Sequence, residues 1–144
     1  MAAVRTDRVI DAPAGDVWAR IADVGAISTW FPSFVSSRLD ADGHRRITLA
    51  TGMELDEEIG LVDPVARRLR YRIVGGLPIL KAHQATVDVI AVDDARCAVV
   101  YSTDVEPAPL AFILSGVIEE ALGELAAQVA GGRAPQTAGT LGGS

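Results

Sequence analysis

The spacing of apolar residues changes twice along this chain and divides it into three segments. After a strand-like opening at residues 4–10, residues 11–32 show helical spacing interrupted by proline and glycine. Residues 35–105 alternate between apolar and polar side chains, which is the period-two pattern of half-buried strands. Helical spacing returns at residues 108–130 and predicts one long amphipathic helix.

The first helical segment is predicted to form two short helices. Asp11 is a suitable N-cap for the first helix, Asp16 places a negative charge in its first turn, and Gly25 is a suitable stop. Pro32 ends the second helix, because a proline disfavours helical backbone in the residue before it.

The period-two region contains six strand-like runs, separated by turn sequences such as DADGH, DPVA, GGLP and DDA. Consecutive strands with short connections favour an antiparallel meander, and a meander with one solvated face needs a cover for the other face. The long C-terminal helix is the obvious cover. The predicted fold is therefore α+β, a curved antiparallel sheet wrapped around one long helix, with two short helices after the first strand.

Length and composition indicate a single globular domain. The chain has 144 residues, of which 49% are hydrophobic, and a chain of this size buries roughly 70% of its unfolded surface in one core. We place the domain at residues 1–131. Residues 132–144 have too few apolar side chains to offset the entropy of ordering, so we predict a flexible tail there.

Charge and motif content narrow the possible partners. The formal net charge of −6 argues against a nucleic-acid partner, since phosphate binding needs clustered lysine and arginine. No apolar run is long enough to span a membrane, and the single Cys97 with no apparent leader sequence favours the cytoplasm. Metal-binding and phosphate-binding motifs are absent, so we expect neither a metal nor a cofactor.

Alternation within the strands predicts which charged side chains face the interior. A turn centred near residues 64–65 places Glu58 opposite Arg72 on the outer face of the sheet. Glu57 has the opposite parity. It lies either inside the domain as a buried acidic group, or at a bulge near Gly52 or Gly60 that turns it to solvent.

His83 has the same inward parity as its apolar neighbours along the strand. If the preceding turn is centred on Leu77, Tyr71 lies directly opposite His83 and Glu57 lies diagonally on the next strand. The three polar tips would then converge in an apolar interior. Alternatively, the histidine reaches solvent past the end of the strand, or a backbone carbonyl satisfies it.

Three further aromatic residues are candidates for the predicted interior. Trp30 and Phe31 follow the second short helix and either line a cavity or fill one end of the core. Tyr101 shares its inward parity with Cys97, which we interpret as a small core residue because no basic cluster surrounds it.

Three stretches of the chain resemble the START-like (SRPBCC) ligand-binding superfamily, which includes bacterial polyketide cyclase/dehydrase-type proteins. They are IDAPAGDVWARIADVGAISTWFP, RRLRYRIVGGLPILKAHQATVDV and VEPAPLAFILSGVIEEALGELAAQV. The resemblance implies a helix-grip architecture with a cavity between the sheet and the C-terminal helix. It also implies that GGLP, residues 75–78, lies at the mouth of that cavity, as a comparable loop does in the distantly similar plant abscisic acid receptors.

The leading functional hypothesis is binding or carriage of a hydrophobic, amphipathic or aromatic small molecule in that cavity. The alternative is a polyketide cyclase or dehydratase in which Glu57, Tyr71 and His83 supply general acid/base groups. A third interpretation is an interaction module whose mouth loop reports ligand occupancy, although the sequence identifies no protein partner. The candidate ligand-binding residues are Trp30, Phe31, Glu57, Tyr71, Leu77, Pro78, His83 and Tyr101.

Overall fold

The computed structural model describes residues 1–139, and its centre is one curved sheet of seven antiparallel strands. The strands are β1 (Ala2–Ile10), β2 (Phe34–Leu39), β3 (His44–Leu49), β4 (Glu54–Asp63), β5 (Arg68–Gly75), β6 (Ala82–Ala91) and β7 (Cys97–Glu106). Their order in the sheet is β1-β7-β6-β5-β4-β3-β2. The six strands after the first therefore form the predicted meander, and β1 pairs with the last of them.

Two short helical elements connect β1 to β2, as predicted, but their boundaries differ from the predicted ones. The first helix, α1 (Ala14–Ala22), follows Pro13 and has no side-chain cap, so the assignment of Asp11 as its N-cap is wrong. The fixed backbone angle of proline suits the entry to a helix and makes a capping side chain less necessary. Gly25 does not end α1 but lies within the 3-10 helix Val24–Thr29 that follows.

The long helix α2 (Leu110–Val129) covers the concave face of the sheet and contacts β1 and β7. Its second half is firmly packed. Gln128 is buried there, and its amide is satisfied within the domain, since Oε1 accepts from Arg20 Nη2 and Nε2 donates to Thr29 O at 2.8 Å. In contrast, Phe112 and Ile113 in the first half are exposed.

Neither helix in residues 1–139 has both the length and the apolar content needed to cross a membrane.

The outer face of the sheet carries the predicted matched charges. Glu58 lies opposite Arg72, as the alternation predicted, and their Oε2 and Nη2 atoms are 3.0 Å apart. Both side chains are about half exposed, and exposed pairs of this kind contribute only about 0.2 to 1 kcal/mol. This face is therefore a solvated surface.

Strands β5 and β6 separate before either one ends. Their pairing runs from Arg68 opposite Asp88 to Tyr71 opposite Ala85 and stops there. Beyond that point β5 continues beside β4, while β6 stays paired with β7. The predicted pairing of Tyr71 with His83 is thus wrong by two residues. A shift of two preserves the face, so His83 still lies on the inner side of the sheet.

The segment after α2 runs back along the edge of the sheet. Gln136 N donates to Thr29 O at 3.0 Å, and its side-chain Nε2 donates to Phe31 O at 2.9 Å. Gly139 N donates to Val35 O at 2.7 Å, beside the outer edge of β2. That the predicted tail, residues 132–144, is flexible stays a prediction. Residues 140–144 of this tail lie outside the described residues.

Candidate functional site

A buried ion pair joins β3 and β4 inside the domain. Arg45 lies directly opposite Glu57, and their Nε and Oε1 atoms are 2.6 Å apart. Arg45 Nη1 also donates to Val24 O at 3.1 Å. The register shifts on both sides of Glu57, after Asp56 and at Gly60, do not turn its carboxylate to solvent, since the side chain is 2% exposed. Burial raises the pKa of Glu57, and the charge of Arg45 opposes that shift.

Two tyrosines extend this ion pair into a buried polar cluster of four residues, Arg45, Glu57, Tyr71 and Tyr101. The guanidinium carbon of Arg45 lies 4.7 Å from the centre of the Tyr71 ring, within the range of a cation–π contact. The hydroxyl of Tyr71 is hydrogen-bonded to that of Tyr101. Burial raises the pKa of both phenols, which are therefore neutral at physiological pH.

Three buried polar atoms have no hydrogen-bond partner within the described chain: Arg45 Nη2, Trp30 Nε1 and Thr103 Oγ1. Such atoms are uncommon in a folded interior, because a buried donor without a partner costs about 1 to 3 kcal/mol. The guanidinium of Arg45 thus retains one nitrogen, Nη2, without a hydrogen-bond partner. Within residues 1–139, no group of three or more His, Cys, Asp or Glu side chains is arranged to hold a metal.

His83 makes a different contact from the one predicted. Its Nδ1 accepts from the backbone N–H of Ile73 at 3.0 Å, across the point where β5 and β6 separate. Its ring centre is 5.7 Å from that of Tyr71, but no direct hydrogen bond joins His83 to Tyr71 or Glu57 in the described chain. Burial lowers the pKa of His83 to about 4. This is the shift expected for a buried imidazole without a neighbouring free carboxylate, because Glu57 is bound to Arg45.

The loop between β5 and β6, residues 76–81, is called the mouth loop below. A cavity of about 230 Å³, which we call the inner cavity, lies between the sheet, the mouth loop and the first half of α2. All but one of its lining side chains are apolar. They are Phe34, Leu49, Leu55, Ile73, Leu77, Leu80, Leu110, Ile113, Leu114 and Val117, with Ser33 as the exception. The apolar stripe of α2 thus divides its role, filling the core in its second half and lining the inner cavity in its first.

A second cavity of about 480 Å³ opens where β5 and β6 diverge, and we call it the strand gap. Its lining is more polar than that of the inner cavity and includes Arg72, Lys81, His83, Gln84 and Asp104. Three apolar residues, Ile73, Leu77 and Leu80, line both cavities and form the wall between them.

The mouth loop between β5 and β6 depends on one glycine. Gly76 has a φ of +89°, and a Cβ at this position would lie 2.0 Å from the backbone oxygen of Glu54. Only glycine allows both this conformation and so close an approach to β4. The loop then turns through a hydrogen bond of 3.0 Å from Leu80 N to Leu77 O, which positions both leucines at the wall between the cavities.

The structure distributes the eight candidate residues over several environments. Leu77 lines both cavities and His83 lines the strand gap, whereas Pro78 is exposed and lines neither. Glu57, Tyr71 and Tyr101 belong to the polar cluster, which lines neither cavity. Trp30 and Phe31 are buried in the core, and Phe31 stacks on Phe34 with ring centres 4.0 Å apart. Trp30 and Phe31 thus do not line the inner cavity themselves, whereas Phe34, on which Phe31 stacks, does.

Sequence reasoning missed Arg45 and most of the inner lining. A signal for Arg45 was available, because it shares its parity with Ile47, which is buried beside it on β3. Phe34, Leu49 and Leu80 stand at the ends of strands or in the mouth loop, where alternation carries little information about what a side chain faces.

Comparison with known proteins gives the same architecture. The family described as polyketide cyclase / dehydrase and lipid transport matches residues 1–130. Among curated proteins, none matches the chain.

Three solved structures illustrate the range of similar proteins. A protein of Thermobifida fusca is 28% identical, with a TM-score of 0.75 over 96% of this chain and 100% of that one. XoxI of Bacillus cereus is 19% identical, with a TM-score of 0.84 over 90% and 96% of the two chains, and shows the shared fold alone. BexL, the di-domain ARO/CYC of the BE-7585A biosynthetic pathway, is 26% identical, with a TM-score of 0.70 over 90% of this chain and 45% of its own.

Proposed function

We propose that this chain, which belongs to the polyketide cyclase / dehydrase and lipid transport family, binds a hydrophobic or amphipathic small molecule in the inner cavity. The observation that carries the proposal is the cavity itself, about 230 Å³ and lined almost entirely by apolar side chains beneath the mouth loop. Small-molecule sites are typically concave and mainly apolar, with a few polar groups that fix orientation.

The packing of α2 supports the same proposal. Its second half is fastened by buried Leu122, Leu125 and Gln128, whereas its first half lies over the cavity and leaves Ile113 partly exposed at the rim. Burying an apolar ligand there removes its surface from water, which favours binding by about 25 cal/mol for each Å² buried. The less constrained half of the helix is also the half that can adjust to a ligand.

The test is binding of decanol to the purified protein, measured by calorimetry, together with native mass spectrometry of the freshly isolated chain. The variant Val117→Phe places a ring in the inner cavity, and we expect decanol affinity to fall at least tenfold. Gly116→Phe is the matched control, since Gly116 is exposed, does not line the inner cavity, and a Cβ there meets nothing within 4 Å. Equal affinities in wild type and Val117→Phe would refute binding in this cavity.

A second candidate function is a cyclase or dehydratase that uses the buried polar cluster. Glu57 carries a carboxylate and Tyr71 a neutral phenol, which are the acceptor and donor that general acid/base chemistry needs. The likeness to BexL, an ARO/CYC protein, adds support. This function ranks second because the cluster lines neither cavity, so a substrate reaches it only after the surrounding core rearranges.

Turnover separates the two candidates. An enzyme would convert a polyketide thioester and lose that activity in Tyr71→Phe and Glu57→Gln while still binding the substrate. A carrier would release the bound molecule chemically unchanged, as mass spectrometry of the extracted ligand would reveal. Turnover that survives replacement of Glu57, Tyr71 and His83 together would remove this assignment of the catalytic groups.

A further inference from the structure

The contact between His83 and Ile73 determines which ring nitrogen carries the proton. Nδ1 accepts from the Ile73 N–H at 3.0 Å, so it cannot itself be protonated. With a pKa lowered to about 4, the ring is neutral at physiological pH and has a single proton, which is therefore on Nε2. No described group accepts a hydrogen bond from Nε2. His83 thus brings an oriented N–H donor to the strand gap, whose lining it forms.

Two charged side chains that line the strand gap take part in no ion pair of residues 1–139, the cation Lys81 and the anion Asp104, and the lysine is the group that suits an acidic guest. Arg72 is directed to the outer face, where it donates to Glu58, and Asp104 stands on the opposite side of the gap on β7. Lys81 lines the gap at the end of the mouth loop and takes part in no ion pair within the described chain. Its ammonium group is therefore free to offset the charge of a bound anion.

The two cavities share three lining residues, Ile73, Leu77 and Leu80, and therefore lie close enough for one molecule to span both. The inner cavity, about 230 Å³, is smaller than the roughly 300 to 1,000 Å³ of common ligand sites. The strand gap adds about 480 Å³ on the other side of the three shared residues. Two of these residues, Leu77 and Leu80, belong to the mouth loop and not to a strand.

We propose that the ligand is an amphipathic carboxylic acid whose apolar chain fills the inner cavity and whose carboxylate lies in the strand gap, bound by His83 Nε2–H and Lys81. The chain passes the wall beside Leu77 and Leu80. This inference rests on the proposed function of the inner cavity and adds to it the chemical class of the head group.

The test compares decanoate with decanol, which carry the same apolar chain on different head groups, by calorimetry on the full chain. We expect decanoate to bind wild type at least tenfold more tightly than decanol. His83→Asn keeps an acceptor for the Ile73 N–H but removes the donor at the Nε2 position. In this variant the affinity for decanoate falls at least tenfold, and the affinity for decanol stays within twofold.

Lys81→Met supplies a second variant on an exposed side chain, so its folding is not in question. We expect it to weaken decanoate threefold to tenfold, with a smaller dependence on salt, and to leave decanol unchanged. Equal wild-type affinities for the two probes, or an unchanged preference for decanoate in Lys81→Met, would overturn the head-group proposal and leave the inner cavity as the binding site. Binding of neither probe would overturn both proposals.

Discussion

Arg45 and Glu57 face each other directly across β3 and β4, and both side chains are almost completely buried, with 1% and 2% of their surfaces exposed. The arginine makes its two hydrogen bonds at Nε and Nη1, one to the carboxylate and one to the backbone oxygen of Val24. The pair therefore ties the sheet to the 3-10 helix that precedes β2.

Breaking this pair from one side should strongly destabilise the domain. We expect Arg45→Met to lower the free energy of unfolding in urea by about 3 to 5 kcal/mol, because it leaves an uncompensated buried carboxylate. Arg45→Met combined with Glu57→Leu should regain most of that loss. Glu58→Gln, at the neighbouring solvated pair with Arg72, is the control and should cost less than about 1 kcal/mol. A double variant as unstable as the single one would contradict this account.

The hydroxyl pair of Tyr71 and Tyr101 should behave as a unit. Tyr101→Phe leaves the buried Tyr71 hydroxyl without its partner and should cost about 1 to 3 kcal/mol in unfolding free energy. The double variant Tyr71→Phe, Tyr101→Phe should cost less than the sum of the two single variants. Strict additivity in this double-mutant cycle would show that the two hydroxyls do not interact.

The buried imidazole of His83 makes the stability of the protein depend on pH. Its pKa in the folded state is about 4, against an ordinary value of 6.5 for a solvated histidine, so the unfolded chain binds a proton that the folded chain excludes. Stability from this group is fully present above pH 6.5 and is lost as the pH falls from there to about 4. The loss amounts to about 3 kcal/mol.

The measurement is urea unfolding at several pH values between 7 and 4 for wild type and His83→Asn. Wild type should lose about 3 kcal/mol more than the variant between pH 7 and pH 4, because the variant lacks the titrating ring while the other titratable groups are shared. Parallel curves would mean that His83 is solvated in the folded state.

The mouth loop should not tolerate a side chain at Gly76. Gly76→Ala would place a methyl group 2.0 Å from the oxygen of Glu54, so either the loop or β4 must move. Gly52→Ala is a matched control, because Gly52 has nearly the same φ, +88°, but nothing within 4 Å of its Cβ. We expect both to incur the backbone cost of about 1 to 2 kcal/mol, and only Gly76→Ala to lower decanol affinity as well. Equal effects of the two substitutions on decanol binding would contradict a role of this contact in shaping the mouth.

The fold could be predicted because its signals are local. Alternation within a strand depends on neighbouring residues only, and it placed His83 on the inner face, where it is buried. For Glu57 it left an inward position and a bulge as alternatives, and the side chain is buried. The stripe of α2 and the turn residues between strands are equally local, so element order followed from them. The parity of Arg45 was a weaker signal, because this residue stands between His44 and Arg46 in a run that looks solvated. Its burial depends on Glu57 twelve residues later.

The register of β5 and β6 could not be predicted from local signals. A hairpin with a tight turn would pair Tyr71 with His83, and the prediction assumed one centred on Leu77. The ladder instead ends at Tyr71 and Ala85, and just beyond β5 the backbone of Gly76 packs against Glu54 of β4. That contact joins distant parts of the chain, so the local sequence of the hairpin does not reveal it.

The hydrogen bond from the Ile73 amide to the imidazole of His83 provides the protein with a reporter of its own state. An amide that donates to a ring nitrogen instead of a carbonyl senses the charge and the orientation of that ring. Its proton resonance and its exchange with deuterium should therefore follow both acid titration of the ring and arrival of an anion at Nε2, from a single backbone position and without an attached dye.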